Sequence, residues 1–164
     1  MIKGNYKRAE LVIPRISEEQ FLKMSAEQQT EYLRLFREQV TPKMEMFREP
    51  HPVKIAYGGR GSLAKSESTA SLLIQFAEHP DYFGENIKVI CLRSVQKSIR
   101  DSSYSLLCRK IEELGYTDFD ITQNYIRNTT NGSYFTFNGL NDFTSSQLKS
   151  LDAYTIAYVE EADG

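Results

Sequence analysis

Residues 53–66 read Val53-Lys-Ile-Ala-Tyr-Gly-Gly-Arg-Gly-Ser-Leu-Ala-Lys-Ser66. A short alternating apolar run leads into a glycine-rich turn, and a Lys-Ser pair then opens a helical pattern. A phosphate-binding loop needs this order. Its glycines let successive backbone N–H groups face phosphate oxygens, and a helix N-terminus points at the same place. A lysine then reaches the outer phosphates, and the hydroxyl after it holds Mg²⁺. The pattern predicts a strand over Val53–Tyr57, a turn from Gly58 to Ala64, and a helix from Lys65 to about Glu78 with Leu72, Leu73, Phe76 and Ala77 on one side. The candidate ATP-binding residues are Gly58, Gly59, Arg60, Gly61, Ser62, Leu63, Ala64, Lys65 and Ser66. A chance glycine-rich turn is the competing account.

One position departs from the motif. Counted from Gly59, the form Gly-x-x-x-x-Gly-Lys-Ser is met except that Ala64 stands at the second glycine; counted from Gly58, the loop is one residue too long. If the position needs φ > 0, alanine costs about 1 kcal/mol there and sets a methyl group against the phosphates.

Downstream the chain alternates. A strand is expected over Ile87–Leu92, then a helix from about Val95 to Leu114, with Ile99, Leu106, Leu107, Ile111 and Leu114 at helical spacing and Gly115 as its stop. Two β-like runs, Phe119–Ile126 and Ser133–Phe137, flank the hairpin signal Asn131-Gly132, and Asn138-Gly139 reads as a further turn. Tyr154–Val159 is a buried-strand candidate running straight into Glu160-Glu161. A buried strand ending in two carboxylates has few purely structural uses, because unpaired charge is costly to desolvate. The alternation predicts an α/β domain with a mostly parallel sheet flanked by helices.

Upstream, residues 1–16 read as an arm. Ser17-Glu-Glu-Gln20 and Ser25-Ala-Glu-Gln28 have capping-box form, so a short helix precedes a longer one, with Phe21, Leu22, Tyr32, Leu33, Leu35 and Phe36 as its apolar side. The cluster Pro50-His51-Pro52 divides the chain into 1–50, an arm with helices, and 51–164, the main domain.

The chain has 164 residues, 40% of them hydrophobic, enough for one domain. Twenty Lys/Arg against 22 Asp/Glu exclude a wholly basic surface but not a local basic stripe. No run approaches the ~18 apolar residues that span a bilayer, and the first residues lead into no signal-type core, so a cytosolic setting is expected. Cys91 and Cys108 read as buried free thiols. With only His51 and His79 and no Cys-x-x-Cys pair, a metal should be bound through oxygen.

Four ordered blocks together resemble the N-terminal P-loop (ASCE-type) ATPase domain of phage terminase large subunits. They are Tyr57-Gly-Gly-Arg-Gly-Ser62 with Lys65-Ser66, Arg93-Ser-Val-Gln-Lys-Ser-Ile-Arg-Asp-Ser102, Phe137-Asn-Gly-Leu140 with Lys149-Ser150, and Val159-Glu-Glu-Ala162. The resemblance implies roles: Lys65 on the β/γ-phosphates, Ser66 and Glu160 on Mg²⁺, Glu161 as the residue that activates water, and Arg60 as a γ-phosphate sensor or finger. It also implies partners: double-stranded viral DNA, a portal protein, a small terminase subunit and further copies in a ring. No membrane partner is implied. The setting would be the cytoplasm of a bacterial host, transiently at the procapsid portal. Arg93, Lys97, Arg100, Arg109 and Lys110 could meet DNA or a neighbouring subunit, or form a solvated face.

In this ATPase class a further strand follows the Glu160-Glu161 strand and lies between it and the Val53–Tyr57 strand. The 164 residues therefore predict an incomplete domain with a gap at the sheet centre. Two other readings use the same residues: a non-catalytic module that keeps the fold, and a P-loop ATPase of a helicase-like branch.

Overall fold

Lys88-Val-Ile-Cys-Leu-Arg93 forms β1, the strand around which the rest of the sheet is arranged. The protein, seen in a computed structural model, is described over residues 16–38, 40–49, 51–57, 64–82, 84–93, 100–139 and 149–160. Val89, Ile90, Cys91 and Leu92 are all buried, which is why this strand reads as a continuous apolar run instead of an alternation.

The remaining strands are β2 (Phe119–Ile121), β3 (Tyr125–Asn128), β4 (Tyr134–Gly139) and β5 (Ile156–Val159), in the spatial order β2-β3-β4-β1-β5. β1 runs parallel to β4 on one side and to β5 on the other. The other two pairings are antiparallel, so the sheet is mixed where a mostly parallel one was expected. Two tight turns are the reason, since short hairpins join only antiparallel neighbours. Thr122 makes one of them: its N–H donates to the Tyr125 carbonyl and its hydroxyl accepts from the Asn124 and Tyr125 amides, splitting the expected single strand Phe119–Ile126 in two. The other is the expected turn at Asn131-Gly132, with Gly132 at φ +81°. Asn138 and Gly139 do not turn; they end β4.

Helix α4 (Lys65–Glu78), numbered in chain order, has the expected bounds. α5 (Ser105–Leu114) is preceded by a π-helical turn, Arg100–Tyr104, and stopped by Gly115 at φ +78°. The expected first residues of that helix, 95–99, lie outside the described residues. α4 and α5 cover one face of the sheet, where Leu73, Phe76, Leu107, Ile111 and Leu114 pack with Val89, Cys91, Ile126 and Phe135. Each such side chain contributes about 1.5–3 kcal/mol by leaving water.

The N-terminal helices are α1 (Glu18–Leu22), α2 (Ala26–Arg37) and α3 (Pro42–Glu45), and both expected capping boxes are formed, on Ser17 and Ser25. Their expected packing side is only partly used: Leu22 and Leu33 are exposed. The end of α2 is attached to the main domain through Glu38, whose carbonyl accepts from Gln75 Nε2 at 2.8 Å and Arg48 Nη2 at 3.1 Å.

The expected strand Val53–Tyr57 is not one. Its alternating side chains stand in solvent, with Val53 66%, Ile55 81% and Tyr57 94% exposed. A strand forms against a partner, and among the described residues none lies beside 53–57 or beside the outer edge of β5. Among the described residues no helix is long and apolar enough to cross a membrane.

Candidate nucleotide site at the strand ends

The parallel strands β1, β4 and β5 all end at one edge of the sheet, at Arg93, Gly139 and Val159. From β1 the chain goes to one neighbour, β4, and then to the other, β5, so β1 marks a point where the strand order reverses. In open α/β sheets ligands bind in the crevice outside the carboxyl ends of strands at such a point.

Ala64 precedes α4 with φ +45° and ψ +40°, the one described non-glycine residue at positive φ. This is the left-handed conformation that the motif's glycine would adopt freely, so the departure noted in the sequence has its expected backbone consequence. Ala64 provides no side-chain cap, and its carbonyl accepts the Ser68 amide at 2.8 Å. The first-turn N–H groups of α4 lie outside the helical ladder and carry the positive end of a 14-residue dipole. Lys65 and Ser66, both half-buried, open that turn.

Ser66 lies near the strand beyond: its side chain lowers the Tyr158 hydroxyl against the larger rise from burial. Two residues on, the Glu160 amide donates to the Leu92 carbonyl at 3.0 Å and so continues the β1–β5 ladder by one step. The Glu160 carboxylate accepts from Ser103 Oγ at 2.7 Å. Burial pushes the Tyr158 hydroxyl well up, helped by the Glu160 charge, and the Cys91 thiol is raised by the same two causes in the same order. Both groups are therefore neutral neighbours of the carboxylate, and Cys91 is a buried free thiol.

A magnesium site of the kind that keeps water and shares phosphate oxygens needs few protein ligands, one or two oxygens. Ser66, in the first turn of a helix with no side-chain cap and near Tyr158, and Glu160, two residues past Tyr158, are hard oxygen donors, and a helix start of that kind suits phosphate. The residues present thus fit Mg²⁺ and a polyphosphate. Among the described residues no group of three or more His, Cys, Asp and Glu is placed to hold a metal by itself.

Gly58, Gly59, Arg60, Gly61, Ser62, Leu63 and Glu161 lie outside the described residues, as does Lys97. Of the basic side chains, Arg109 and Lys110 are engaged within the fold. Arg109 pairs with Glu67 and, at 2.7 Å, with Glu113; Lys110 pairs with Glu67 at 2.8 Å and Glu113 at 2.6 Å. The two Glu67 pairs join the first turn of α4 to α5. The sequence reading missed Ser103 and Tyr158. Ser103 meets Glu160 across 57 residues, a separation with no local signal, and Tyr158 reads simply as a core position of its strand.

A family model for phage terminase large subunits matches residues 50–164. No curated protein matches the chain.

Proposed function

The chain belongs to the phage terminase large subunits, and on that premise we propose that it forms the ATPase part of a motor that packages double-stranded viral DNA into a procapsid. The observation that supports this reading is that α4, opened by Lys65 and Ser66, has no side-chain cap at its start, and that Ser66 lies near Tyr158, two residues before Glu160. Lys65 would bind the β/γ-phosphates, and Ser66 and Glu160 would hold Mg²⁺. The ion supplies neutralisation of charge on the phosphate oxygens. Glu161, following Glu160, would accept the proton of the attacking water, and Arg60 would meet the charge that grows on the transferring phosphoryl group. ATP and Mg²⁺ are the cofactors of this reading. Its partners are a portal protein, a small terminase subunit and further copies in a ring, in the cytoplasm of a bacterial host.

A non-catalytic module is the second reading, favoured by the methyl group that Ala64 carries at φ +45°. Calorimetric titration of Mg-ATP decides between them, run on the native protein, on Lys65→Ala and on a variant with Leu63-Ala64 replaced by a single glycine. Micromolar binding that Lys65→Ala removes supports the motor. Silence of the native protein with binding by the glycine variant supports the non-catalytic module.

A further inference from the structure

Ser103 is 1% exposed, so its hydroxyl has no water to turn to, and the partner it finds is the Glu160 carboxylate at 2.7 Å. A hydroxyl donating to an ionised carboxylate makes a charge-assisted bond, about twice as strong as a neutral one. It fixes the rotation of the carboxylate about its last torsion, so Oε1 is presented in one direction. The backbone that carries Ser103 is itself held. Its neighbour Tyr104 donates from its hydroxyl to the Thr122 carbonyl at 2.8 Å and packs edge-on against Phe137, with ring centres 5.1 Å apart. The turn is π-helical, a geometry less favourable than α that recurs where a helix serves a site.

We infer that Ser103 is a positioning residue for Glu160: it orients the carboxylate that receives the metal, while α5 and the hairpin connection hold Ser103 in place. The inference rests on the reading of Glu160 as the metal-holding acid. Groups that orient a metal-binding carboxylate typically change metal affinity by about tenfold or more when removed. Ser103 thereby ties α5 to the site at one point, and the Glu67 pairs with Arg109 and Lys110 tie it at another.

The test uses Mn²⁺ in place of Mg²⁺. Mn²⁺ is titrated into the protein with a non-hydrolysable ATP analogue, and the free ion is read by electron paramagnetic resonance. Ser103→Ala is expected to weaken Mn²⁺ binding about tenfold. Ser103→Cys keeps the volume but not the strong donor, so it should weaken binding equally and leave the melting temperature near the native value. Ser103→Thr should restore the affinity. Native affinity in Ser103→Ala and Ser103→Cys beside weakened binding in Glu160→Gln overturns the role of Ser103 and leaves the metal reading standing; failure of Ser103→Thr to restore binding overturns it too. Native affinity in Glu160→Gln overturns the metal reading, and the inference with it.

Discussion

The Tyr116 hydroxyl donates a 2.6 Å hydrogen bond to the Glu38 carboxylate, joining the end of α2 to the chain just beyond α5 across 78 residues. Arg34 Nη1 donates to the same oxygen at 2.6 Å, and the His79 Nε2, buried and without a hydrogen-bond partner, stands 3.7 Å away. Burial opposes the charge on Glu38. The His79 imidazole, the Tyr116 hydroxyl and the Arg34 guanidinium together outweigh it and hold the carboxyl down at about 2. At 3.7 Å the imidazole is beyond hydrogen-bond reach, so the two short bonds are the stronger grip.

A stability profile against pH follows. Because the folded value lies below the ordinary 4.5, the contribution of Glu38 is present above pH 4.5 and is lost as pH falls from there toward 2. Tyr116→Phe should cost about 1 kcal/mol and Glu38→Ala about 2–3 kcal/mol at neutral pH, with the double variant less than additive. Urea unfolding at pH 7 and pH 3 checks this. A gap between native and Glu38→Gln that does not narrow in acid contradicts it.

Ala64→Gly should stabilise the protein. The left-handed conformation costs alanine about 1 kcal/mol or more, and the flexibility that glycine adds to the unfolded chain returns only part of it, leaving a gain of roughly 0.5 kcal/mol. Ala64→Val, with a branched side chain at the same φ, should lower the melting temperature. Thermal unfolding of both variants tests this, and an unchanged or lower transition in Ala64→Gly contradicts the conformation.

Glu161→Ala should abolish ATP turnover and leave ATP binding intact, since a water-activating base acts only in the chemical step. Steady-state hydrolysis beside equilibrium binding separates the two. Unchanged turnover removes Glu161 from the mechanism.

Asn128 of the hairpin is fully buried, and its side chain makes four hydrogen bonds. Its Nδ2 donates to Glu78 at 2.8 Å and Asp118 at 2.9 Å, while its Oδ1 accepts from the Thr130 and Asn131 amides. Asn128→Ala should cost about 3 kcal/mol through the amides and carboxylates left unpaired. Asn128→Asp sets a third carboxylate beside two others, where burial and the Asp118 charge already push the Glu78 carboxyl up. It should cost at least as much at pH 7 and less near pH 4, as the acids protonate. Chemical unfolding at the two values measures it, and an equal cost at both contradicts the charge argument.

The elements legible in the sequence were those whose signal is local. The serine capping boxes, the bounds of α4, the Gly115 stop and the Asn131-Gly132 turn each depend on residues within a turn of one another. Val53–Tyr57 misled for the converse reason: its alternation describes a strand, but a strand exists only against a neighbour. Thr122 was missed because a threonine closing its own turn carries no Gly or Pro signal. At the candidate site, type and order alone single out Lys65, Ser66 and Glu160 as candidates. They do not single out Ser103 and Tyr158, since only the folded sheet brings a helix turn and a strand from elsewhere to those acids and hydroxyls.

The hairpin turn also grips α4 at its far end, where Asn131 Nδ2 donates to the Ala77 carbonyl at 2.8 Å. The helix is therefore a lever with its fulcrum remote from its first turn. Its 14 residues, at about 1.5 Å of rise each, place Lys65 roughly 20 Å from that fulcrum. A tilt of about 3° there swings the Lys65 backbone by about 1 Å, a displacement that can change a reaction rate a hundredfold. Asn128 and Asn131, at the opposite end of α4 from Lys65 and Ser66, thus help set the direction in which that first turn points.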